Sequence, residues 1–302
     1  MSNIKLQIQS MKETCLNNIT NQLKDLVQPL KDKRAIWVLS GAGISAPSGI
    51  PTYRDRHGQW KAANPIQHND FIQHKESRQR YWARSTVGFA MTHLASPNAA
   101  HEAITRMQSN GLTRQITTQN VDRLHSTAGS MNVIDLHGRL DQVICLDCGL
   151  TSKRADFQPR LVKLNPGLTA YAAKLLPDGD AEVDDYDMSQ IKIPTCESCG
   201  GIIMPDVVFF GGTVPKQRVE AAFKSLSEAD CILVIGSSLT VYSGFRFPRW
   251  AYKNGLPLYA INQGEMRGSE LFDLILQDSC EDALPKLADA LDCAISFPFG
   301  ES

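Results

Sequence analysis

The sequence lacks the features of membrane, secreted and nucleic-acid-binding proteins. In its 302 residues, no apolar run reaches the roughly 18 residues that a membrane-spanning helix needs. The first twenty residues contain no arginine and no apolar core, so neither a mitochondrial nor a secretory leader is predicted. A net charge of −1 gives no general attraction to nucleic acid. We therefore expect a cytoplasmic protein that binds neither membrane nor nucleic acid; no oligomeric state is predicted.

Cysteine is also scarce, and eight residues are too few to stabilise a chain of this length by disulfides. Four of them form two C-x-x-C pairs, Cys145 with Cys148 and Cys196 with Cys199, and a glycine follows each pair. Each pair can direct two thiolates at one point, and two such pairs complete a closed tetrahedral zinc site. The sequence thus predicts one structural zinc ion, with a redox-active pair as the alternative.

Short apolar runs typical of buried strands alternate with amphipathic helical patterns along most of the chain. The predicted strands are 35–40, 115–118, 133–136, 232–235 and 258–261, and the predicted helices are 8–30, 98–107, 215–226, 244–253 and 281–291. The segment between the two cysteine pairs interrupts this alternation and contains an acidic stretch over 178–187. This order predicts an α/β fold, a doubly wound parallel sheet with a smaller inserted zinc-binding domain.

A glycine-rich segment follows the first predicted strand. Gly41, Gly43 and Ala46 match the relaxed dinucleotide-binding pattern, in which a tight turn and a following helix bring backbone N–H groups close to a phosphate. The segment continues into a loop with proline and arginine that a dehydrogenase does not need. No acidic residue stands about 20 residues after Gly43, where the dehydrogenase pattern has one. These observations favour a dinucleotide that is consumed as a substrate over one that carries hydride.

Polar side chains follow other predicted strands, at the edge where an open α/β sheet binds ligands. Asn120 and Asp122 follow one strand and could hold a ribose, an amide or a positioned water; His137 follows another and is predicted to be a general base. Gly236 to Ser238 form a small-residue turn that suits phosphate or ribose, and Asn262 could hold ribose hydroxyls. The remaining histidines are interpreted as surface or packing residues: His57, His68, His74, His93, His101 and His125.

These motifs together resemble the sirtuin family of NAD-dependent protein deacylases, over about residues 35–287. The motifs are GAGISAPSGIPTYR at 41–54, TQNVD at 118–122, LHG at 136–138, the two C-x-x-C pairs, PDVVFFGG at 205–212, GSSLTV at 236–241 and IN at 261–262. RYWAR at 80–84, LPDGD at 176–180 and YSGFRF at 242–247 look like the class II branch, which includes a mitochondrial animal member and many bacterial ones.

The resemblance implies a Rossmann-like NAD-binding domain over 1–144 and 200–302, with a helical part of the small domain around 56–96. The zinc-binding module is predicted over 145–199. NAD, as co-substrate, and an acyl-lysine protein substrate are implied to meet between the two domains. In the family, the acyl oxygen attacks C1′ of the nicotinamide ribose, nicotinamide leaves, and a base activates a ribose hydroxyl, so that the acyl group ends on ADP-ribose.

The resemblance also implies roles for individual residues. His137 is the implied base, and Asn120 and Asp122 complete the catalytic set. The residues implied to bind NAD are Gly41, Ala42, Gly43, Ser45, Pro51, Tyr53, Arg54, Gln119, Asn120, Asp122, Gly236, Ser237, Ser238, Asn262, Gln263, Gly264 and Cys280. The residues implied to pair with the substrate backbone as an added strand are Val207, Val208, Phe209, Phe210 and Gly211.

Tyr81 and Arg84 carry a prediction about the acyl group. They stand three residues apart, on one face of a helix, and resemble the Tyr-x-x-Arg pair with which another sirtuin class holds acidic acyl groups. A guanidinium and a phenol suit a carboxylate. The pair therefore predicts that acidic or bulky acyl groups are preferred, and the alternative is that Arg84 forms an internal ion pair.

Two other functions are compatible with the same residues. The first is transfer of ADP-ribose to a protein, which would use the same NAD site with a different acceptor. The second is a zinc-ribbon binding protein that senses NAD without turnover. An NAD-linked dehydrogenase is the least favoured function, because the acidic residue of the dehydrogenase pattern is absent; release of free nicotinamide from NAD would contradict hydride transfer.

Overall fold

A computed structural model describes residues 20–53, 55, 59, 61, 65–168, 181, 183 and 187–296, with the side chains of 90–92 and 293–296 left out. Several sequence predictions fall wholly or partly outside these residues. They are the role of Arg54 in NAD binding, the interpretation of His57, the first half of the N-terminal helix, the motif at 176–180, parts of the predicted segments 56–96 and 145–199, and all acidic residues of the stretch 178–187 except Asp187.

The large domain contains a six-stranded sheet in which all neighbouring strands are parallel. Its strands are β1 (Ile36–Ser40), β2 (Thr113–Thr118), β3 (Val133–Asp135), β7 (Cys231–Ile235), β8 (Leu258–Ile261) and β9 (Leu274–Leu276), and their spatial order is β3-β2-β1-β7-β8-β9. This confirms the predicted Rossmann-like, doubly wound parallel sheet. All five residues of β1 and of β7 are buried, as expected when helices cover both faces of a sheet.

Nine helices are seen in the described part of the chain. They are α1 (Asn21–Leu30), α2 (His68–Gln73), α3 (Lys75–His93), α4 (Ala99–Ser109), α5 (Leu124–Thr127), α6 (Arg154–Leu164), α7 (Lys216–Leu226), α8 (Tyr242–Lys253) and α9 (Cys280–Ser296). Apolar side chains of α1, α4 and α9 form one core with the sheet, and those of α7 and α8 form a second core. The ends of β1, β2, β3, β7 and β8 are thereby held in one row.

A three-stranded antiparallel sheet forms the smaller unit. Its strands are β4 (Gly138–Cys145), β5 (Thr151–Lys153) and β6 (Ile203–Val207), in the order β5-β4-β6. The central strand β4 begins before residue 145 and the outer strand β6 lies after residue 199, so this sheet extends past both ends of the predicted module 145–199, whose limits stay a prediction. Cys145 and Cys196 share an apolar cluster with side chains of α2, α3 and α6, so the cysteine pairs and the helical part of this unit have one core.

Among the described residues, no helix is both long and apolar enough to cross a lipid bilayer. The predicted cytoplasmic location stays a prediction.

Candidate active site

A cavity of about 710 Å³ lies where the carboxyl ends of the parallel strands face the small sheet. This volume is within the range of about 300–1,000 Å³ that is usual for small-molecule sites. The predicted site residues in its wall are Gly41, Ala42, Gly43, Ser45, Pro51, Tyr53, Tyr81, Gln119, Asn120, Asp122, His137, Val207, Val208, Phe209, Phe210, Gly211, Gly236, Ser237, Ser238, Asn262, Gln263 and Cys280.

Of the residues predicted to bind NAD or the substrate, two in the described part of the chain lie outside this wall. The carbonyl oxygen of Gly264 accepts from Asn262 Nδ2 at 3.2 Å, so Gly264 lies just behind a wall residue. Arg84 is buried in the helical part of the small unit, with its Nε 3.4 Å from the carbonyl oxygen of Ala181.

The glycine-rich loop meets the turn after β7 backbone to backbone. A Cβ atom on Gly43 would lie 2.8 Å from Gly236 Cα, and one on Gly41 would lie 2.7 Å from Ser237 Cβ. Gly236 itself has a φ of +57°, a conformation that glycine adopts without strain. Two 3₁₀ turns, Ala42–Ile44 and Ala46–Ser48, follow β1 in place of the expected helix. The loop therefore offers a phosphate a close approach to the backbone without the dipole of an α-helix, and the N–H groups of Gly41 and Gly43 themselves donate to the carbonyl oxygens of Ile235 and Gly236.

His137 stands between β3 and β4 with both ring nitrogens hydrogen-bonded. Nδ1 is 2.9 Å from the carbonyl oxygen of Gln119, and Nε2 is 2.7 Å from Ser243 Oγ. A carbonyl can only accept, so Nδ1 bears the proton and Nε2 accepts from the serine hydroxyl. The backbone carbonyl of His137 accepts from the N–H of Val208 at 2.7 Å, which ties the histidine to the predicted substrate-binding segment.

The surroundings of His137 keep its ring neutral. Burial lowers its pKa to about 4; the positive charges of Arg246 and Arg218 act in the same direction, and the hydrogen bond to Gln119 opposes them. At neutral pH its Nε2 is therefore unprotonated, the state that a general base requires. Sequence reasoning missed Ser243, whose position at the start of α8 brings it to the histidine only in three dimensions.

A polar cluster forms the inner wall near Asp122. Ser45 Oγ donates to Asp122 Oδ2 at 2.7 Å and accepts from Asn120 Nδ2 at 3.0 Å. Asp122 Oδ1 accepts from the N–H of Leu124 at 2.9 Å, and burial raises the pKa of the carboxyl group. Asn120 and Asp122 are thereby fixed in orientation, with an amide and a carboxyl group in the cavity wall.

Two of the histidines interpreted as surface or packing residues lie behind this cluster, and both are buried packing residues. His101 and His125 are 0% and 1% exposed. His101 Nδ1 accepts from the N–H of Asn98 at 3.3 Å, so its Nε2 faces Ser45 Oγ, at 3.4 Å, as the donor. His125 Nε2 is 2.8 Å from Ser40 Oγ. The sequence signal was the spacing Asn98-x-x-His101, which forms a capping box at the start of α4.

The buried histidines make stability depend on pH. Burial lowers the pKa of His101 to about 4 and that of His125 to about 3. Below the unfolded pKa of about 6.5, the unfolded chain takes up these protons and the folded chain does not, so the free energy of unfolding falls as pH falls. We expect each histidine to cost about 2 kcal/mol between pH 7 and pH 5. Urea unfolding at the two pH values measures the loss.

The variant His101→Gln should show a smaller loss than wild type between the same two pH values. The exposed His74, replaced in the same way, is the matched control and should keep the wild-type dependence. Equal pH dependence of wild type and His101→Gln would contradict this account.

The four cysteines of the two pairs come together at one end of the small sheet. All four sulfur atoms lie within 4.8 Å of one another; Cys145 Sγ is 3.5 Å from Cys199 Sγ, and Cys148 Sγ is 3.7 Å from Cys196 Sγ. Zinc–sulfur bonds of about 2.3 Å in a tetrahedron place sulfurs about 3.8 Å apart, whereas a disulfide needs about 2.05 Å. The cluster therefore fits a structural zinc ion.

Comparison with known proteins identifies the same features. A family model described as "Sir2 family" matches residues 41–243. A "NAD-dependent protein deacetylase" of Xanthomonas axonopodis pv. citri is 50% identical over 249 residues, which cover 82% of this chain and 85% of that protein. An "NAD-dependent protein deacetylase 2" of Bradyrhizobium diazoefficiens is 48% identical, over 82% of this chain and 91% of that protein.

Solved structures share the fold. One described as "Structural Basis for the Mechanism and Regulation of Sir2 Enzymes" superposes with a TM-score of 0.72 and 28% identity, over 91% of this chain and 99% of the other. Another, "Sir2-p53 peptide-NAD+", gives a TM-score of 0.70 and 28% identity, over 88% of this chain and 96% of the other.

Proposed function

This chain belongs to the Sir2 family, and from that premise we propose how it works as an NAD-dependent protein deacetylase. NAD is the co-substrate and the four-cysteine cluster holds a structural zinc ion. The acyl group of a modified lysine passes to ADP-ribose, and nicotinamide is released. The observation that carries this proposal is the meeting of the glycine-rich loop, the Asn120–Asp122 cluster and a neutral His137 in one cavity.

Asn120 and Asp122 hold the nicotinamide end of NAD. Their amide and carboxyl groups can form hydrogen bonds with the carboxamide of nicotinamide. Because Ser45 already holds both side chains in place, little side-chain entropy is lost when NAD binds. The tight turns at Gly41, Gly43 and Gly236 let the backbone of the cavity wall approach the phosphates closely. Ser237 and Asn262, both buried, hold the ribose and adenine end.

The acyl-lysine peptide lies along residues 207–211, adding a strand beside the small sheet. The acyl oxygen attacks C1′ of the ribose as nicotinamide leaves. His137 Nε2 then accepts the proton of a ribose hydroxyl, so that this oxygen can attack the acyl carbon. The lysine amine leaves with a proton, and water adds to the acyl carbon as the bond from that carbon to the C1′ oxygen breaks, which gives O-acyl-ADP-ribose. Ser243 occupies Nε2 in the free protein, at 2.7 Å, and the ribose hydroxyl takes its place.

Water must be kept away from C1′ of the ribose, which becomes cation-like as nicotinamide leaves. Otherwise hydrolysis at C1′ would compete with attack by the acyl oxygen. Tyr53 forms part of the cavity wall and its ring lies edge-on to Phe210, with 5.7 Å between the centroids. This contact connects the loop after the second 3₁₀ turn to residues 207–211, and we propose that it shields the reaction centre from water.

Incubation of the zinc-loaded protein with NAD and a panel of acyl-lysine peptides tests this function. Release of nicotinamide together with O-acyl-ADP-ribose, identified by mass spectrometry, supports deacylation. An acceptor protein that gains ADP-ribose identifies transfer of ADP-ribose instead. If NAD stays intact with every peptide and acceptor, the protein is a binder and the proposal fails.

We also propose that acidic or bulky acyl groups are preferred, through Tyr81 and Arg84. Tyr81 lies in the cavity wall, packed edge-on against Phe71 and Phe209. Arg84 lies one turn further along α3, and its guanidinium would have to turn from Ala181 toward the cavity to meet a carboxylate. Bound there, the carboxylate would gain charge-assisted hydrogen bonds.

If this is correct, Arg84→Ala lowers kcat/KM for a glutaryl-lysine peptide, relative to its acetyl counterpart, by roughly tenfold to a hundredfold. The exposed Arg80 on the same helix is the matched control, and Arg80→Ala should leave the ratio unchanged. The preference for acidic acyl groups is excluded if wild type turns over glutaryl peptides no better than acetyl peptides. It is also excluded if Arg84→Ala leaves the ratio of the two kcat/KM values unchanged.

A further inference from the structure

Arg246 lies in the wall of the cavity and has no acidic partner among the residues that the structure describes. It is three residues after Ser243 on α8, so it shares the helix face that contacts His137. Its Nε is buried without a hydrogen bond to any described residue, and its guanidinium carbon lies 5.5 Å from the centroid of the Tyr242 ring.

Three other arginines of this region, unlike Arg246, form ion pairs with aspartates. Arg218 pairs with Asp206 at 2.9 Å, and Arg139 pairs with Asp141 at 2.5 Å. Arg123 pairs with Asp135. Each of these guanidinium groups is therefore neutralised within the chain, whereas the charge of Arg246 is left for a group from outside.

The position of Arg246 indicates that the negatively charged group that pairs with its guanidinium is a side chain of the bound peptide. The neighbouring Val241 and Tyr242 are 41% and 51% exposed, so the guanidinium lies close to the rim of the cavity. Val207 and Val208, which belong to the proposed peptide-binding segment, line the same cavity. A peptide held there by its acyl-lysine would pass its flanking side chains over this rim.

We propose that Arg246 binds the carboxylate of an aspartate or glutamate that flanks the acyl-lysine, which makes acidic peptides the favoured substrate class. This inference rests on the proposed deacetylase function. The planar fork of a guanidinium matches a carboxylate with two parallel hydrogen bonds, and its stacking on Tyr242 leaves both terminal nitrogens able to donate.

The test compares acetyl-lysine peptides that differ only in whether glutamate, glutamine or lysine flanks the modified residue. Wild type should give kcat/KM about fivefold higher for glutamate than for glutamine, and the ratio should shrink as salt is added. In Arg246→Gln the ratio should approach one, and in Arg246→Glu the lysine-flanked peptide should be favoured. Arg249, exposed on the same helix and outside the cavity wall, is the matched control; Arg249→Gln should keep the wild-type ratio.

The outcomes separate this inference from the function on which it rests. Nicotinamide release with equal rates for all three peptides overturns the role of Arg246 and leaves the deacetylase function intact. No nicotinamide release from any peptide overturns the function itself. A ratio that persists in Arg246→Gln also overturns the inference.

Two further measurements test whether the negative charge that pairs with Arg246 comes from the acyl chain or from NAD. An effect of Arg246→Gln on binding of the acyl chain is detected with a pair of succinyl- and butyryl-lysine peptides, and an effect on binding of the NAD phosphates is detected as a change in the KM for NAD. An effect confined to either arm overturns the assignment to a flanking side chain.

Discussion

Replacing His137 with alanine should lower the rate of acyl transfer by about a hundredfold to ten-thousandfold, the contribution usual for a general base. The imidazole is held neutral, with a pKa of about 4, and its proton is fixed on Nδ1 by the carbonyl of Gln119. Its task begins after nicotinamide has left, so cleavage of NAD should suffer less than formation of O-acyl-ADP-ribose. Quantification of both products in single-turnover reactions measures the two steps separately.

His74→Ala is the control for the loss of a histidine as such, since this side chain is exposed and lies outside the cavity wall. Its rate should equal that of wild type. If His137→Ala formed O-acyl-ADP-ribose at an undiminished rate, another group would have to be the base. A far-UV circular dichroism spectrum equal to that of wild type excludes loss of the fold as the cause.

Removal of zinc should unfold the small unit. A structural zinc site contributes about 10 kcal/mol or more in small metal-dependent domains, which is comparable to the whole stability of a typical protein. Cys145 and Cys196 belong to the same apolar cluster as Tyr81 and Phe209 of the cavity wall. Loss of the ion should therefore abolish deacetylation and lower Tm by about 10 °C or more. Treatment with a chelator, followed by calorimetry and a zinc assay, measures both effects.

Cys199→Ser should reproduce the loss of zinc and of stability. Cys231→Ala is the matched control, because this thiol is buried in the large domain and remote in sequence from both pairs. Activity that returns when zinc is added back to the chelated protein would separate a lost ion from irreversible damage. A chelated, zinc-free protein with unchanged Tm would show that the four thiols are not a structural metal site.

The regular elements of the large domain were predictable from local patterns. Runs of consecutive apolar residues indicated β1 and β7, because a strand covered on both faces by helices has no polar side. The C-x-x-C pairs indicated the metal cluster, because the ligands of each pair are close in sequence. The short β9 was missed, since Leu274–Leu276 is too brief to show a period.

The candidate site was predictable where its residues follow strands of the same sheet. Asn120, Asp122 and His137 each end or follow a parallel strand, and parallel strands place such ends in one row. Arg84 shows the limit of this reasoning. Its spacing from Tyr81 predicted a shared helix face, but only packing decided that its side chain lies against Ala181, away from the cavity.

The sequence by itself therefore determined the order of the main strands and helices of the large domain, the four zinc ligands and the family, since each depends on residues that are neighbours along the chain. The tertiary structure decided which side chains surround the reacting centre. Ser243 reaches His137 across more than a hundred residues, and His101 lies behind Ser45. These contacts arise because helices packed on the two faces of the sheet meet at its carboxyl edge. Short-range patterns in the sequence cannot predict which helices meet there.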